Sequence, residues 1–175
     1  MAGTSGATSP VSAGDEPVDV VDTEDRVVGT VTRAVMRAEN LRHRAVFVLV
    51  RSTQGAVLIH RRSPSKDVWP GWWDLAVGGV VAAGESHDSA ARRELAEELG
   101  VEGVEPEALG GGSYEDDHVR LIGRVYRVVH DGPFTFADGE VVEACFVDPD
   151  QLQERLARDH FLPDSIALAL PLLDA

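Results

Sequence analysis

The chain has 175 residues, 43% of them hydrophobic and 26% charged, and carries a formal charge of −14. That length suits one domain with a sizeable core, and the acidic balance argues against non-specific binding to nucleic acid or to an anionic membrane. The single cysteine excludes an intrachain disulfide framework, no apolar run reaches the length of a membrane span, and the start lacks the pattern of a secretory signal, so a cytoplasmic protein without membrane or nucleic-acid partners is expected.

Residues 1–15 are mostly Gly, Ser, Thr and Ala and are expected to form a disordered tail ahead of a single domain over 16–175. Two β-branched runs, Pro17–Asp22 and Arg26–Val31, flank a hairpin turn at Thr23–Asp25, and Thr32–Glu39 reads as a short helix. Val46–Val50 is continuously apolar, as in a strand buried on both faces. Ala56–Arg62 is the next strand and ends in Arg61 and Arg62. Alternation sends these two arginines to opposite faces, so one of them is a candidate for a substrate phosphate and the other for a solvated strand end. All three tryptophans fall between Trp69 and Trp73. Trp72 and Trp73 are candidates for stacking on a flat group, against the plainer role of plugging the core edge. Leu75–Gly78 is a short strand feeding Gly79.

The stretch Gly79–Val101 carries the chemistry. Glu94, Glu97 and Glu98 stand at i, i+3 and i+4, which places three carboxylates on one helix face. Such like-charge pairs each cost roughly 0.2–0.5 kcal/mol, so folding alone does not favour them. The segment ELAEEL by itself equally describes a solvated acidic face. Its flanks favour a cation site: Gly79 and Gly84 bracket a loop, Ser86 can cap the helix, Gly100 can end it, and Ala91, Leu95 and Leu99 form a buried stripe. Arg93 can tie down a loop carboxylate, with Glu85 the obvious partner. Hard oxygen ligands suit Mg²⁺, with Mn²⁺ as an alternative.

Beyond this stretch, Glu107–Gly112 reads as irregular or as a weak strand and Ser113–His118 as a solvated acidic loop. Val119–Val129 is an alternating strand, Asp131–Pro133 a turn, and Glu140–Val147 the last strand, with Glu140 and Glu143 at its start. Asp148 opens a helix to about Arg158, and Pro163–Leu173 is a final apolar helix that Pro171 can cut short. Cys145 reads as a buried packing residue. The six histidines show no zinc spacing, and His43 is the one that merits inspection.

Gly79, Glu85, Arg93-Glu94-Leu95, Glu97-Glu98, Gly100 and Val101 together resemble the box of the Nudix hydrolase family without departure. The resemblance implies an α/β fold, specifically an α/β/α sandwich with a mixed central sheet, and cleavage of a diphosphate linkage by metal-activated water in a nucleoside diphosphate derivative or related metabolite. It further implies that Glu94, Glu97, Glu98 and the Gly79 carbonyl hold the metal, that Glu98 or a nearby carboxylate such as Glu143 takes the proton from water, and that Arg93 and Glu85 brace the loop. The segments LRHRA, LIHRRSPSKDVWPGWWD, EVVEACFVDPDQL and FLPDS are similar to the YfcD-like branch, itself akin to type 1 isopentenyl diphosphate isomerase. That kinship raises prenyl diphosphate isomerisation as an alternative, but Ala76–Gly79 holds no cysteine where the isomerases place theirs. A non-catalytic metabolite sensor is a third reading, against which the intact carboxylate set argues. A homodimer is open, because the N-terminal hairpin could add to a sheet edge.

Overall fold

The computed structural model describes residues 13–137 and 139–175. Most of the expected tail lies outside these residues, but Ala13–Asp15 forms a 3-10 turn rather than continuing it. Among the described residues the architecture is a nine-stranded mixed sheet with helices packed against it.

Strand β3 (Arg42–Arg51) is the axis. It pairs in parallel with β8 (Arg120–Val129) along its whole length. Its other edge is shared by three elements: β1 (Pro17–Val21) at Val20, β6 (Val77–Val80) along Ala45–Val48, and β4 (Val57–Arg62) at Arg51. Strands β3 and β4 therefore part beyond their turn, and β6 enters the gap. Strand β2 (Val27–Thr32) lies outside β1, and β7 (Glu107–Glu115) lies outside β8. Strand β4 carries β9 (Val141–Val147) and the two-residue β5 (Trp73–Asp74).

Alternation along β3 builds two cores. Ala45, Phe47 and Leu49 join the cluster under the C-terminal helices α3 (Pro149–Arg158) and α4 (Pro163–Leu168). Val46, Val48 and Val50 join the cluster under α2 (His87–Leu99). A strand serving both cores must be apolar throughout, as its sequence is. A short helix, α1 (Arg33–Ala38), follows β2 and buries Met36.

Three expectations need correction. The stretch from Glu107 is a full strand through Glu115, so the strand alternative holds for Glu107–Gly112 and Ser113–Glu115 belongs to the strand rather than to a loop. Its three successive glycines have little intrinsic strand preference, but close packing demands the middle one. A Cβ on Gly111 would lie 2.2 Å from the Gly123 carbonyl oxygen, and one on Gly123 would lie 2.8 Å from both Phe47 and Leu168. Second, the strand before the box is Val77–Val80, so Gly79 lies within it rather than at its end. Third, Cys145 is half-buried against the α3/α4 cluster rather than enclosed. The final helix stops at Leu168 and resumes as a 3-10 turn over Leu170–Leu172, with Pro171 in that turn.

Candidate active site

Helix α2 begins where the Ser86 hydroxyl accepts the Ser89 N–H at 3.2 Å, and ends where Gly100 turns left-handed with φ 67°. Leu95 and Leu99 are buried to 1% exposure or less. Each such side chain contributes roughly 1.5–3 kcal/mol, which outweighs the repulsion among the glutamates on the other face.

The same packing presses Glu94 and Glu98 inward, to 7% and 3% exposure. Glu97 stays exposed. Gly79 lets Glu94 in: a Cβ there would stand 2.5 Å from Glu94 Oε1.

Arg93 is the hub. Its Nε and Nη2 donate to the two oxygens of Glu85, each at 3.0 Å, and Nη2 also reaches the Val80 carbonyl at 3.2 Å. Its Nη1 donates to Glu94 Oε1 at 2.7 Å and Glu97 Oε2 at 3.1 Å. The guanidinium thus supplies the positive charge that gathers these carboxylates. Among the described residues no three carboxylate, imidazole or thiol side chains already surround one point as a finished metal cage, which fits Arg93 holding two of the candidate ligands.

Glu98 stands apart from this network. Its Oε2 is buried with no hydrogen-bond partner among the described residues. Burial, followed by the Glu94 charge, pushes its carboxyl well up. Burial also raises Glu94, against the pull of Arg93, to about 7. Two buried carboxyls that cannot both ionise comfortably, one with an orphaned oxygen, fit a hard divalent cation such as Mg²⁺ or Mn²⁺.

The other expected residues part company. Glu143 is exposed and pairs with Arg61 across the β4–β9 ladder. It shares strand parity with Cys145, which packs on the α3/α4 side, so the pleat directs it away from α2. Its neighbour Glu140 instead acts electrostatically on both Glu94 and Glu98. Glu140 is in contact with Lys66, whose charge in turn lowers Glu98. Sequence reasoning passed over Lys66, although it is the chain's only lysine.

Arg61 and Arg62 do separate: Arg61 is exposed and donates to the Gly71 carbonyl at 3.1 Å, whereas Arg62 lines an interior cavity. Trp72 stacks on His160, with centroids 5.1 Å apart, and Trp73 carries the Arg155 guanidinium 4.0 Å above its ring. Both serve packing. Trp69, which was not singled out, lines the cavity with Arg62, as does His43.

The comparisons with known proteins agree with this arrangement. The family model described as the NUDIX domain matches residues 41–166. The uncharacterized Nudix hydrolase YfcD of Escherichia coli K12 is 42% identical over 159 residues, covering 90% of this chain and 87% of its own. The uncharacterized Nudix hydrolase SCO1686 of Streptomyces coelicolor is 43% identical, covering 90% and 88%. The crystal structure of DR0079 from Deinococcus radiodurans superposes with a TM-score of 0.72 at 32% identity, covering 85% of this chain and 94% of that one. With a complete box, this architecture and relatives matched over most of their length, the chain belongs to the Nudix hydrolase family.

Proposed function

We propose that this Nudix hydrolase cleaves the diphosphate linkage of a small metabolite, such as a nucleoside diphosphate derivative, with Mg²⁺ as cofactor and Mn²⁺ as an alternative. The observation that carries this reading is the unpartnered, buried Glu98 Oε2 beside Glu94. Glu94, Glu97, Glu98 and the Gly79 carbonyl would hold the cation. When bound, it supplies the positive charge that keeps Glu94 and Glu98 ionised, neutralises the diphosphate and makes the attacking water more acidic.

The chain's own residues do the rest. Glu98 accepts the proton of the water that attacks phosphorus, with Glu140 as the nearby carboxylate that takes the place first given to Glu143. Arg93 and Glu85 fix the loop so that Gly79 and Glu94 keep their spacing. Arg33, Arg37 and Lys66 line a depression that also contains Glu140. They receive the phosphoryl group that leaves.

The isomerase alternative gains no support. Its cysteine would have to be Cys145, which packs in the cluster across the sheet from α2. No helix among the described residues is long and apolar enough to cross a membrane, and a cytoplasmic site of action remains part of this reading. A homodimer through β2 is also part of it, because that strand is uncharged and exposes Val27 and Val28 at the sheet edge.

The test is release of phosphate and nucleotide from a panel of diphosphates, with Mg²⁺ or Mn²⁺ and with Glu98→Gln as control. Metal-dependent cleavage that the variant loses supports the reading. Binding without turnover would move the sensor reading ahead of it, and conversion of isopentenyl diphosphate to its isomer would restore the isomerase.

A further inference from the structure

Lys66 is the only lysine among the chain's 16 basic residues, and all the others are arginines. Its side chain is only 13% exposed, and its Nζ donates to Glu140 Oε2. The backbone fixes this pair. The Ser63 N–H donates to the Glu140 carbonyl at 2.8 Å, and the Lys66 N–H turns back onto the Ser63 carbonyl at 3.2 Å. The segment leaving β4 is therefore fastened to the residue before β9 through both backbone and side chain. Ordering a lysine stem costs rotamer entropy, and a loose surface pair would return little for it.

The two cations of the site divide the carboxylates between them. Arg93 holds Glu85, Glu94 and Glu97. Lys66 holds Glu140, which acts electrostatically on both Glu94 and Glu98. The Lys66 charge also reaches Glu98, opposing the burial and the Glu94 charge that push that carboxyl up. Glu98 Oε2 itself is buried without a hydrogen-bond partner among the described residues. On the other side, Lys66 shares the depression of Arg33 and Arg37, where the proposed reaction puts phosphate oxygens.

An arginine would bring a wide planar fork to this point, whereas an ammonium is a compact charge with three donors and no acceptor. Glu140 takes one of the three donors. The others are left for the carboxylate side and for a phosphate oxygen. Those are the contacts that the second ion makes in a two-metal phosphoryl site, where the ions lie about 3.5–4 Å apart.

We propose that Lys66 Nζ stands in for a second metal ion, so that the site takes a single divalent cation at Glu94, Glu97 and Glu98 and fills the position beside Glu140 with its own ammonium. The inference rests on the proposed hydrolase reading for the existence of a cation site, and goes beyond it in fixing the number of ions and the role of Lys66.

The test counts Mn²⁺ bound to the intact protein, without substrate, by electron paramagnetic resonance and calorimetry at physiological ionic strength. The wild type should bind one ion. Lys66→Gln should bind two, and the second should be lost again when Glu140→Gln is added. Lys66→Arg keeps the charge and should remain at one. Two ions in the wild type, or one in Lys66→Gln, overturns the inference. A lysine that only braces the loop would lower Tm in Lys66→Gln and leave the count unchanged. No bound ion in the wild type removes the cation site, and the proposed reaction with it. A second arm uses a diphosphate that the wild type cleaves. At one equivalent of Mn²⁺, Lys66→Gln should lose about tenfold or more in rate and regain most of it as a second ion is added. If no diphosphate is cleaved, the proposed reaction fails while the ion count still decides the role of Lys66.

Discussion

Arg93 clasps Glu85 at two points, Nε to Oε1 and Nη2 to Oε2, each at 3.0 Å. Burial pushes the Glu85 carboxyl up, but the Arg93 hydrogen bonds and the Ala82 N–H outweigh it and hold the carboxyl below its ordinary value. The clasp joins the exit of β6, the loop and α2 in one unit. Arg93→Ala leaves Glu85 and Glu94 without their cation. Because Arg93 is a third exposed, the loss should be about 1–3 kcal/mol rather than the larger figure for a fully buried pair. Thermal denaturation should show Tm lower by several degrees, and Arg93→Lys should recover little, since an ammonium cannot make the bidentate fork. An unchanged Tm in Arg93→Ala would remove the clasp from any structural role.

Glu98 has the opposite signature. A buried carboxyl with an orphaned oxygen burdens the fold at neutral pH, which fits the proton-accepting role proposed for it. Glu98→Gln keeps the shape and removes the charge. It should raise the Tm of the metal-free protein at pH 8 while lowering kcat by about 10²–10⁴-fold, the range for losing a general base. The rise in Tm that Mg²⁺ gives the wild type should shrink in the variant. Near-wild-type turnover would take Glu98 out of the centre of the reaction.

The box was legible because its signals are local. Helix period, cap and terminating glycine all lie within 23 residues, and the structure places Ser86, Arg93 and Gly100 in the roles their positions suggest. The choice between Glu140 and Glu143 depended instead on strand parity and on a register shift opposite Arg61/Arg62, which the sequence does not display. The tryptophans were equally opaque. Trp72 and Trp73 lie within four residues of Trp69 in sequence, but Trp72 stacks on Trp69 and His160 whereas Trp73 lies under the Arg155 guanidinium. Strand β7 was obscured because Gly111 is dictated by the neighbouring strand at Gly123, not by local preference.

Gly79 offers a steric test. An alanine Cβ would stand 2.5 Å from Glu94 Oε1 and 2.9 Å from its Cδ. The buried Glu94 side chain has little freedom to give way, so it must leave its place or β6 must shift. Gly79→Ala should cost about 1–3 kcal/mol, as overpacking does. It should also weaken the Mg²⁺ response of Tm and of rate at least tenfold in apparent affinity. A metal titration matching the wild type would show that Glu94 is free to move without consequence.

Asp164 yields a pH-dependent difference. Burial first, and then the Asp74 charge, push its carboxyl from 3.8 up to about 7. A group with a raised folded pKa holds its proton more tightly in the folded state. Its favourable contribution is therefore complete below about pH 4 and is lost as pH climbs to about 7. Asp164→Asn is neutral throughout and keeps an oxygen for the Ser165 N–H. The Tm of the variant relative to wild type should be near zero at pH 4, rise through pH 6 and level off by pH 8, at a gain of about 2–4 kcal/mol for a shift of this size. Thermal melts at those three pH values measure it. A difference that stays flat would mean Asp164 does not titrate in this range. A rising one would show that this buried carboxyl weakens the fold as it ionises.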